Sequence, residues 1–216
     1  NLNVLTSELG REFRGSLLTL KPYPTCGYTN KAIDVTIDLV TEHGIKPESI
    51  EEIEVGVGPT AHNLTCEPRE IKANPRHTID CQFSVPYTVA ASVIRKNIFI
   101  EDFVQDAWKR PGIREMMARV KTRVDPDVLS KDSPNVGGAS VKIRTKDRRE
   151  YTKIGYYAKG HHKRPMTMDD VTRKFRQCLP YSARPLPEKN TEEVIRMVSS
   201  LEKVDDVARI PELLVP

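Results

Sequence analysis

The 216-residue sequence contains 34 Lys and Arg against 30 Asp and Glu, giving a net charge of +4, and it is 38% hydrophobic and 30% charged. This composition is typical of a soluble globular protein that can bury a sizeable core, and no run approaches the roughly 18 apolar residues of a membrane span. The four cysteines form no C-x-x-C pair, so their spacing indicates neither a zinc nor an iron–sulfur site. We expect a cytoplasmic protein with free thiols.

The first informative stretch is a proline-rich loop near the amino terminus. Residues 1–16 are typical of a lead-in or hinge, and the apolar run at 17–21 predicts a short strand before a loop that leads to Asn30. Pro22 and Pro24 fix their own φ and keep the preceding residues extended, so this loop should be stiff. The loop carries four chemically active side chains within six residues, which favours a functional site. They are Lys21, Tyr23, Thr25 and Cys26. An ordinary strand-to-helix connection is the alternative interpretation.

The segment after this loop predicts a helix and then a strand. Apolar residues recur at helical spacing between Thr29 and His43, and Gly44 stands where a C-terminal cap belongs. Apolar and polar residues mostly alternate at 50–57 before a Gly-Pro pair, which predicts a strand. Residues 60–77 show no dominant period, so we expect a long irregular connection there, and such loops are often functional.

A second informative stretch begins at Ser84. This residue is a good N-cap, and Pro86 is tolerated in the first turn of a helix, so a helix should start here with Tyr87 in its first turn. A helix amino terminus that faces a cleft attracts anions, and Ser84 and Tyr87 would then help to hold a carboxylate. A capped core helix with a largely buried tyrosine is an equally weighted alternative.

The rest of the chain predicts several short elements. They are two short helices broken around residues 110–112, a strand at 120–124, a β-hairpin between 141 and 154, and helices that begin near Thr167, Thr191 and Val204. The expected core anchors of the first two are Phe103, Trp108, Ile113 and Met117. The chain therefore divides into a lead-in at 1–16, an α+β domain at 17–157 and a helical segment at 158–216.

Positive charge is concentrated in one part of the chain. Residues 109–164 contain 16 Lys and Arg against 6 Asp and Glu. Such a block attracts nucleic acid or an anionic substrate in some proteins. Its charges alternate with apolar residues and are not interleaved with stacking aromatics, so the solvated face of a sheet is the favoured interpretation.

Four separated blocks together resemble a known family. They are KPYPTCGYTN, DCQFSVPYTVAASVI, KGHHKRPMTMDDVTRKFRQCL and LEKVDDVARIPELL, in this order. They resemble the MmgE/PrpD family, which includes 2-methylcitrate dehydratases, cis-aconitate decarboxylases and iminodisuccinate epimerases. The resemblance extends over nearly the whole chain but corresponds to the carboxy-terminal half of a typical member. The chain also begins at Asn1 without an initiator methionine, so we expect a fragment or subunit.

The resemblance implies a fold and a chemistry. The fold is α+β: a small lid domain of mixed sheet and helices, followed by carboxy-terminal helices that pack with a larger all-helical domain. The chemistry is cofactor-free elimination, decarboxylation or epimerisation of small di- or tricarboxylates, at a cleft between the two domains. The lid would contribute Lys21 and Tyr87 as catalytic residues, with Tyr23, Thr25, Cys26 and Ser84 as substrate-binding residues.

The same resemblance sets expectations for partners. We expect another polypeptide to supply the missing helical domain in a homodimeric or heteromeric assembly, and we expect no metal, nucleic-acid or membrane partner. Decarboxylase-like members have histidine at the position of Cys26, and many members have histidine at the position of Asn30, so no histidine role transfers to either residue. A non-catalytic binding or regulatory module that retains the lid fold, and a nucleic-acid binder using residues 109–164, remain alternatives.

Overall fold

The computed structural model describes residues 6–104, 106–130 and 136–215, except for the side chain of Arg14. The α-helices of these residues are α1 (Asn30–Glu42), α2 (Pro59–Thr65), α3 (Arg69–Ala73), α4 (Thr78–Gln82), α5 (Val85–Arg95), α6 (Pro111–Ala118), α7 (Met168–Cys178), α8 (Glu188–Ser199) and α9 (Arg209–Leu213). The strands are β1 (Ile50–Val57), β2 (Val120–Val124), β3 (Ala139–Thr145) and β4 (Glu150–Gly155). The chain is therefore α+β, as the sequence predicted.

The four strands form one mixed sheet in the order β2-β1-β3-β4. β1 pairs in parallel with β2, and β3 pairs antiparallel with both β1 and β4. In this register Val55 lies opposite Val141 on one side and Thr122 on the other. The predicted strands at 50–57 and 120–124 and the predicted hairpin are confirmed.

The two faces of the sheet differ in chemistry. Helices α1 and α5 pack on one face, where Ile53, Val55, Val141 and Ile143 are fully buried. The other face carries cross-strand ion pairs, including Arg123 with Glu54 at 2.9 Å and Lys142 with Glu150 at 2.8 Å, together with Lys121–Glu52 and Arg144–Glu51. Much of the basic block at 109–164 thus forms a charged sheet face that its own carboxylates balance.

Two predicted segments differ from the structure. The prediction of a strand at 17–21 is wrong, because a short 3₁₀-helix covers Arg14–Leu17 and the described residues that follow it join no sheet. The leucines of this run, Leu17, Leu18 and Leu20, are exposed, so the apolar pattern does not report burial within the described chain. The irregular connection at 60–77 is also wrong, since α2 and α3 occupy most of it. Pro59 stands in the first turn of α2 and Pro68 immediately before α3, where proline is compatible with a helix.

The starts of α5 and α7 were predicted correctly, whereas α9 begins at Arg209, five residues after its predicted start near Val204. Ser84 caps α5 by accepting a hydrogen bond from Tyr87 N at 3.0 Å. Thr167 and Asp170 form a capping box at the start of α7. α8 begins at Glu188, before the predicted start near Thr191. The expected core anchors of the short helices, Phe103, Trp108, Ile113 and Met117, are all buried.

The chain forms two compact units. Unit 1 comprises residues 1–164 and contains the sheet and α1–α6, whereas unit 2 comprises residues 165–216 and contains α7–α9. The sequence placed its boundary after residue 157. Residues 158–164 lie within unit 1 because Lys159 N and the Arg164 guanidinium both bind Asp34 of α1.

Candidate functional site

The loop from Lys21 to Thr29 is fastened to the end of α4. The side-chain amide of Gln82 donates to Pro24 O at 2.8 Å, and Cys26 N donates to Gln82 O at 3.0 Å. These bonds join segments that are 56 or more positions apart in sequence, and the two prolines already restrict the backbone between them. The predicted stiff loop therefore has a tertiary brace as well as a local one.

A buried hydroxyl network closes this loop against the start of α1. Thr25 Oγ1 donates to Asn30 Oδ1 at 2.7 Å, and Thr29 Oγ1 lies 3.0 Å from Thr25 Oγ1 and 2.9 Å from Cys26 O. All three of these polar side chains are at most 5% exposed. Thr25, predicted to bind substrate, thus holds the turn together, whereas the Cys26 thiol is partly exposed beside it.

Lys21 lies across the open side of this loop. Its Nζ donates to Thr25 O at 3.2 Å, and its Cε lies 4.0 Å from the position that a Cβ on Gly27 would occupy. The residue is exposed, so the ammonium ion is accessible to a molecule that approaches the loop. The structure therefore brings together Lys21, Thr25 and Cys26 as the sequence predicted, with the amine on the accessible side.

The carboxylate of Asp34, one turn into α1, supports the loop from inside. Oδ1 accepts a hydrogen bond from the Tyr23 hydroxyl at 2.7 Å, and Oδ2 accepts from Lys159 N at 2.6 Å and from the Arg164 guanidinium at 3.3 Å. Burial raises the pKa of Asp34, although these hydrogen bonds oppose the shift. Burial, together with the adjacent Asp34 charge, also raises the pKa of Tyr23. Tyr23, predicted to bind substrate, is 9% exposed and acts here as a tie between the loop and α1.

Ser84 and Tyr87 lie in the core. Ser84 is fully buried, and its Oγ donates to Lys72 O at 2.6 Å while it caps α5. Tyr87 is 1% exposed, packs edge-to-face on Phe103 with ring centroids 5.8 Å apart, and donates its hydroxyl to Asp102 O. Burial raises the pKa of Tyr87. The geometry favours the capped-core-helix alternative for these two residues, and their proposed chemical roles stay predictions.

A cavity of about 420 Å³ opens beside the loop. It is connected to the loop through the backbone, because Leu20 N donates to Gly160 O at 3.0 Å and Gly160 N donates to Arg164 O at 2.8 Å. Its lining residues are Leu17, Lys31, Tyr156, Tyr157, His161, His162 and Lys163. Sequence reasoning identified 160–165 only as a basic loop and missed Lys31 altogether, since nothing in the sequence places a residue of α1 next to that loop.

Comparison with protein families decides the class of the fold. The model of the MmgE/PrpD C-terminal domain matches residues 23–202, which is most of the chain. The match includes the loop from Tyr23 onward, the sheet, α7 and α8, and it begins two residues after Lys21. This chain belongs to the MmgE/PrpD family.

The curated relatives of this MmgE/PrpD chain are decarboxylases. It is 25% identical over 135 residues to the cis-aconitate decarboxylase of Homo sapiens and 26% identical over 135 residues to that of Mus musculus. Each match covers 62% of this chain but 27% of the relative. The chain therefore matches about a quarter of the length of these relatives.

Metal and membrane sites are not signalled in the part of this MmgE/PrpD chain that the structure describes. No cluster of three or more His, Cys, Asp or Glu side chains in these residues is arranged to hold a metal ion. None of the described helices has both the length and the apolar character needed to span a bilayer.

Proposed function

We propose that this chain supplies the lid side of the active site in an MmgE/PrpD-like lyase or isomerase that acts on small di- or tricarboxylates, such as 2-methylcitrate or cis-aconitate. The observation that carries the proposal is the position of Lys21, an exposed amine on a loop that is fixed by Gln82, Asn30 and Asp34. Because the loop is fixed before substrate arrives, little ordering entropy is lost when the amine engages a carboxylate.

The chemistry requires a cation at this position. A di- or tricarboxylate carries two or three negative charges, and a lysine ammonium ion offsets one of them through a charge-assisted hydrogen bond. Elimination or decarboxylation also builds up negative charge on the carbon skeleton, which a nearby cation stabilises. Lys21 is therefore assigned to carboxylate binding and charge stabilisation. The partly exposed thiol of Cys26 borders the same space and contacts the substrate without a proton-transfer role.

The remainder of the site comes from a second polypeptide segment. In unit 2, an apolar groove of about 270 Å³ between α7, α8 and α9 is lined by side chains such as Phe175, Val194 and Ile210. In unit 1, Phe13 and Leu18 are 78% and 71% exposed. An apolar groove and large exposed apolar side chains are both typical of protein–protein contact. These surfaces support docking of the helical domain that would correspond to the rest of the relatives' length.

Complementation tests the proposal. The chain is assayed alone and after co-expression with a helical partner polypeptide, by release of CO₂ from cis-aconitate and by dehydration of 2-methylcitrate. We expect no turnover by the chain alone and turnover by the complex. In that complex, Lys21→Ala should lower kcat/KM by roughly 10²–10⁴-fold. Lys46→Ala removes the same charge from an exposed residue beyond the C-terminal end of α1 and should leave kcat/KM within about twofold.

A non-catalytic binding or regulatory module is the second candidate. The observation that favours it is the buried, hydrogen-bonded hydroxyl of Tyr87. The family resemblance adds that this chain has Cys26 where decarboxylase-like members have histidine and Asn30 where many members have histidine. A stable complex whose turnover is unchanged by both Lys21→Ala and Tyr87→Phe would establish the module and refute the lyase proposal. Turnover by the isolated chain would refute the requirement for a second polypeptide.

A further inference from the structure

The cavity beside the loop, whose lining residues are given above, has a wall of aromatic rings. The rings of Tyr157 and His161 stack with centroids 4.8 Å apart, and the ring of His162 lies 4.1 Å from that of His161. His161 Nδ1 accepts a hydrogen bond from Lys163 N at 3.1 Å, so the neutral ring carries its proton on Nε2. The Lys163 ammonium ion lies 5.0 Å from the centroid of Tyr157 and 3.1 Å from its hydroxyl. These contacts order the wall without any ligand.

Lys31, in the first turn of α1, also lines the cavity. Its Nζ donates to Gly137 O, and partial burial lowers the pKa of this lysine. A buried ammonium ion is destabilised by lost hydration, and a bound anion restores much of that loss. Lys31 therefore gains more from an anionic ligand than a fully hydrated surface lysine would.

The composition of the lining determines the sign of the ligand. Two lysines and two histidines contribute to the cavity, and none of the described lining residues is acidic. The volume of about 420 Å³ falls in the range of roughly 300–1,000 Å³ found for small-molecule pockets.

We propose that this cavity binds a small oxyanion with two or more negative charges, carried on carboxylate or phosphate groups. Lys31 and Lys163 supply the cationic donors, and His161 and His162 supply ring donors. The proposal does not rest on the lyase function, because it concerns different side chains from Lys21 and predicts binding in the isolated chain. The backbone bond between Leu20 and Gly160 joins the residue that precedes the loop to the residue that precedes His161 of the cavity lining.

Calorimetric titration of the full chain tests the proposal. The probes are citrate, for the carboxylate source, and inorganic pyrophosphate, for the phosphate source, both at constant ionic strength. We expect saturable one-to-one binding of at least one probe, and the tighter of the two identifies the source. The double variant H162A/K163A should weaken binding about tenfold or more, because it removes a charged and a polar donor. Lys31→Met, which keeps the apolar stem, should weaken binding by a similar factor.

The control is Lys46→Ala, which changes the net charge equally at a residue that does not line the cavity. Its affinity should stay within about twofold of the wild type. Equal weakening by Lys46→Ala, or no saturable binding of either probe, overturns the proposal. Binding that is lost in Lys21→Ala but unchanged in H162A/K163A also overturns it and places the anion at the loop instead. If neither probe binds the chain while the complemented enzyme still turns over, this proposal is overturned and the lyase proposal is not.

Discussion

Tyr23→Phe tests whether the buried tie between the loop and α1 carries substantial stability. The substitution removes a single oxygen, whose hydrogen bond to Asp34 Oδ1 is 2.7 Å long and inaccessible to solvent. A hydrogen bond to an ionised group contributes about 1.5–3 kcal/mol. Asp34 keeps its bonds to Lys159 N and Arg164, so the carboxylate is not left without partners and the loss should stay within this range. In a protein of this size, each kcal/mol lost lowers the Tm by about 2–4 °C, so the expected decrease in Tm is roughly 3–12 °C.

The measurement is urea denaturation at pH 8, together with a thermal melt. Tyr28→Phe is the matched control, because Tyr28 lies five residues along the same segment and its hydroxyl makes no hydrogen bond to the described protein. The control should change the free energy of unfolding by less than about 0.5 kcal/mol. Equal losses in the two variants, or a loss below about 0.5 kcal/mol for Tyr23→Phe, would refute the reasoning.

Three further predictions concern the same unit. Tyr87→Phe should lower the free energy of unfolding by about 0.5–1.5 kcal/mol in urea denaturation; unchanged stability with a large loss of kcat in the complemented enzyme would support a chemical role instead. Gly160→Ala should lower the free energy of unfolding by about 1–3 kcal/mol, because the added Cβ would lie 1.9 Å from Leu20 O at a φ of +89°. Gly27→Ala should leave the free energy of unfolding nearly unchanged. Burial raises the pKa of Asp34, so its contribution to stability is largest below about pH 4 and decreases as the pH rises through the raised value. The stability of the wild type relative to Asp34→Asn should therefore fall as the pH rises above about 4, and a rise would contradict this sign.

Local patterns predicted most of the regular elements. The strand at β1 and the helix at α5 follow from short-range rules, because alternation, N-caps and first-turn prolines act within a few residues. The run at 17–21 has the same apolar character, yet it joins no sheet of the described chain. A strand requires a neighbour that supplies hydrogen bonds, and no local rule reports whether one is present.

In the candidate site, too, local patterns predicted some features and tertiary contacts determined the others. Its side chains were correctly grouped when they lie within one loop, as Lys21, Thr25 and Cys26 do. The hydrogen-bond partners of Tyr23 and Tyr87 lie in other segments of the chain, and each hydroxyl is bonded inside the core, while the chemical roles of the two residues stay predictions. A sequence shows which side chain is present but not which direction it faces.

The sequence by itself determined the family, the α+β class and the stiffness of the proline-rich loop, because motif order, periodicity and fixed φ angles are properties of the chain. Only the tertiary structure joined Asp34 to Tyr23 of the loop and brought Lys31 and His162 into the lining of one cavity. Asp34 is more than ten positions from Tyr23 in the sequence, and Lys31 is more than a hundred positions from His162. Contacts of that kind depend on how the elements pack, and packing is a property of the folded chain as a whole.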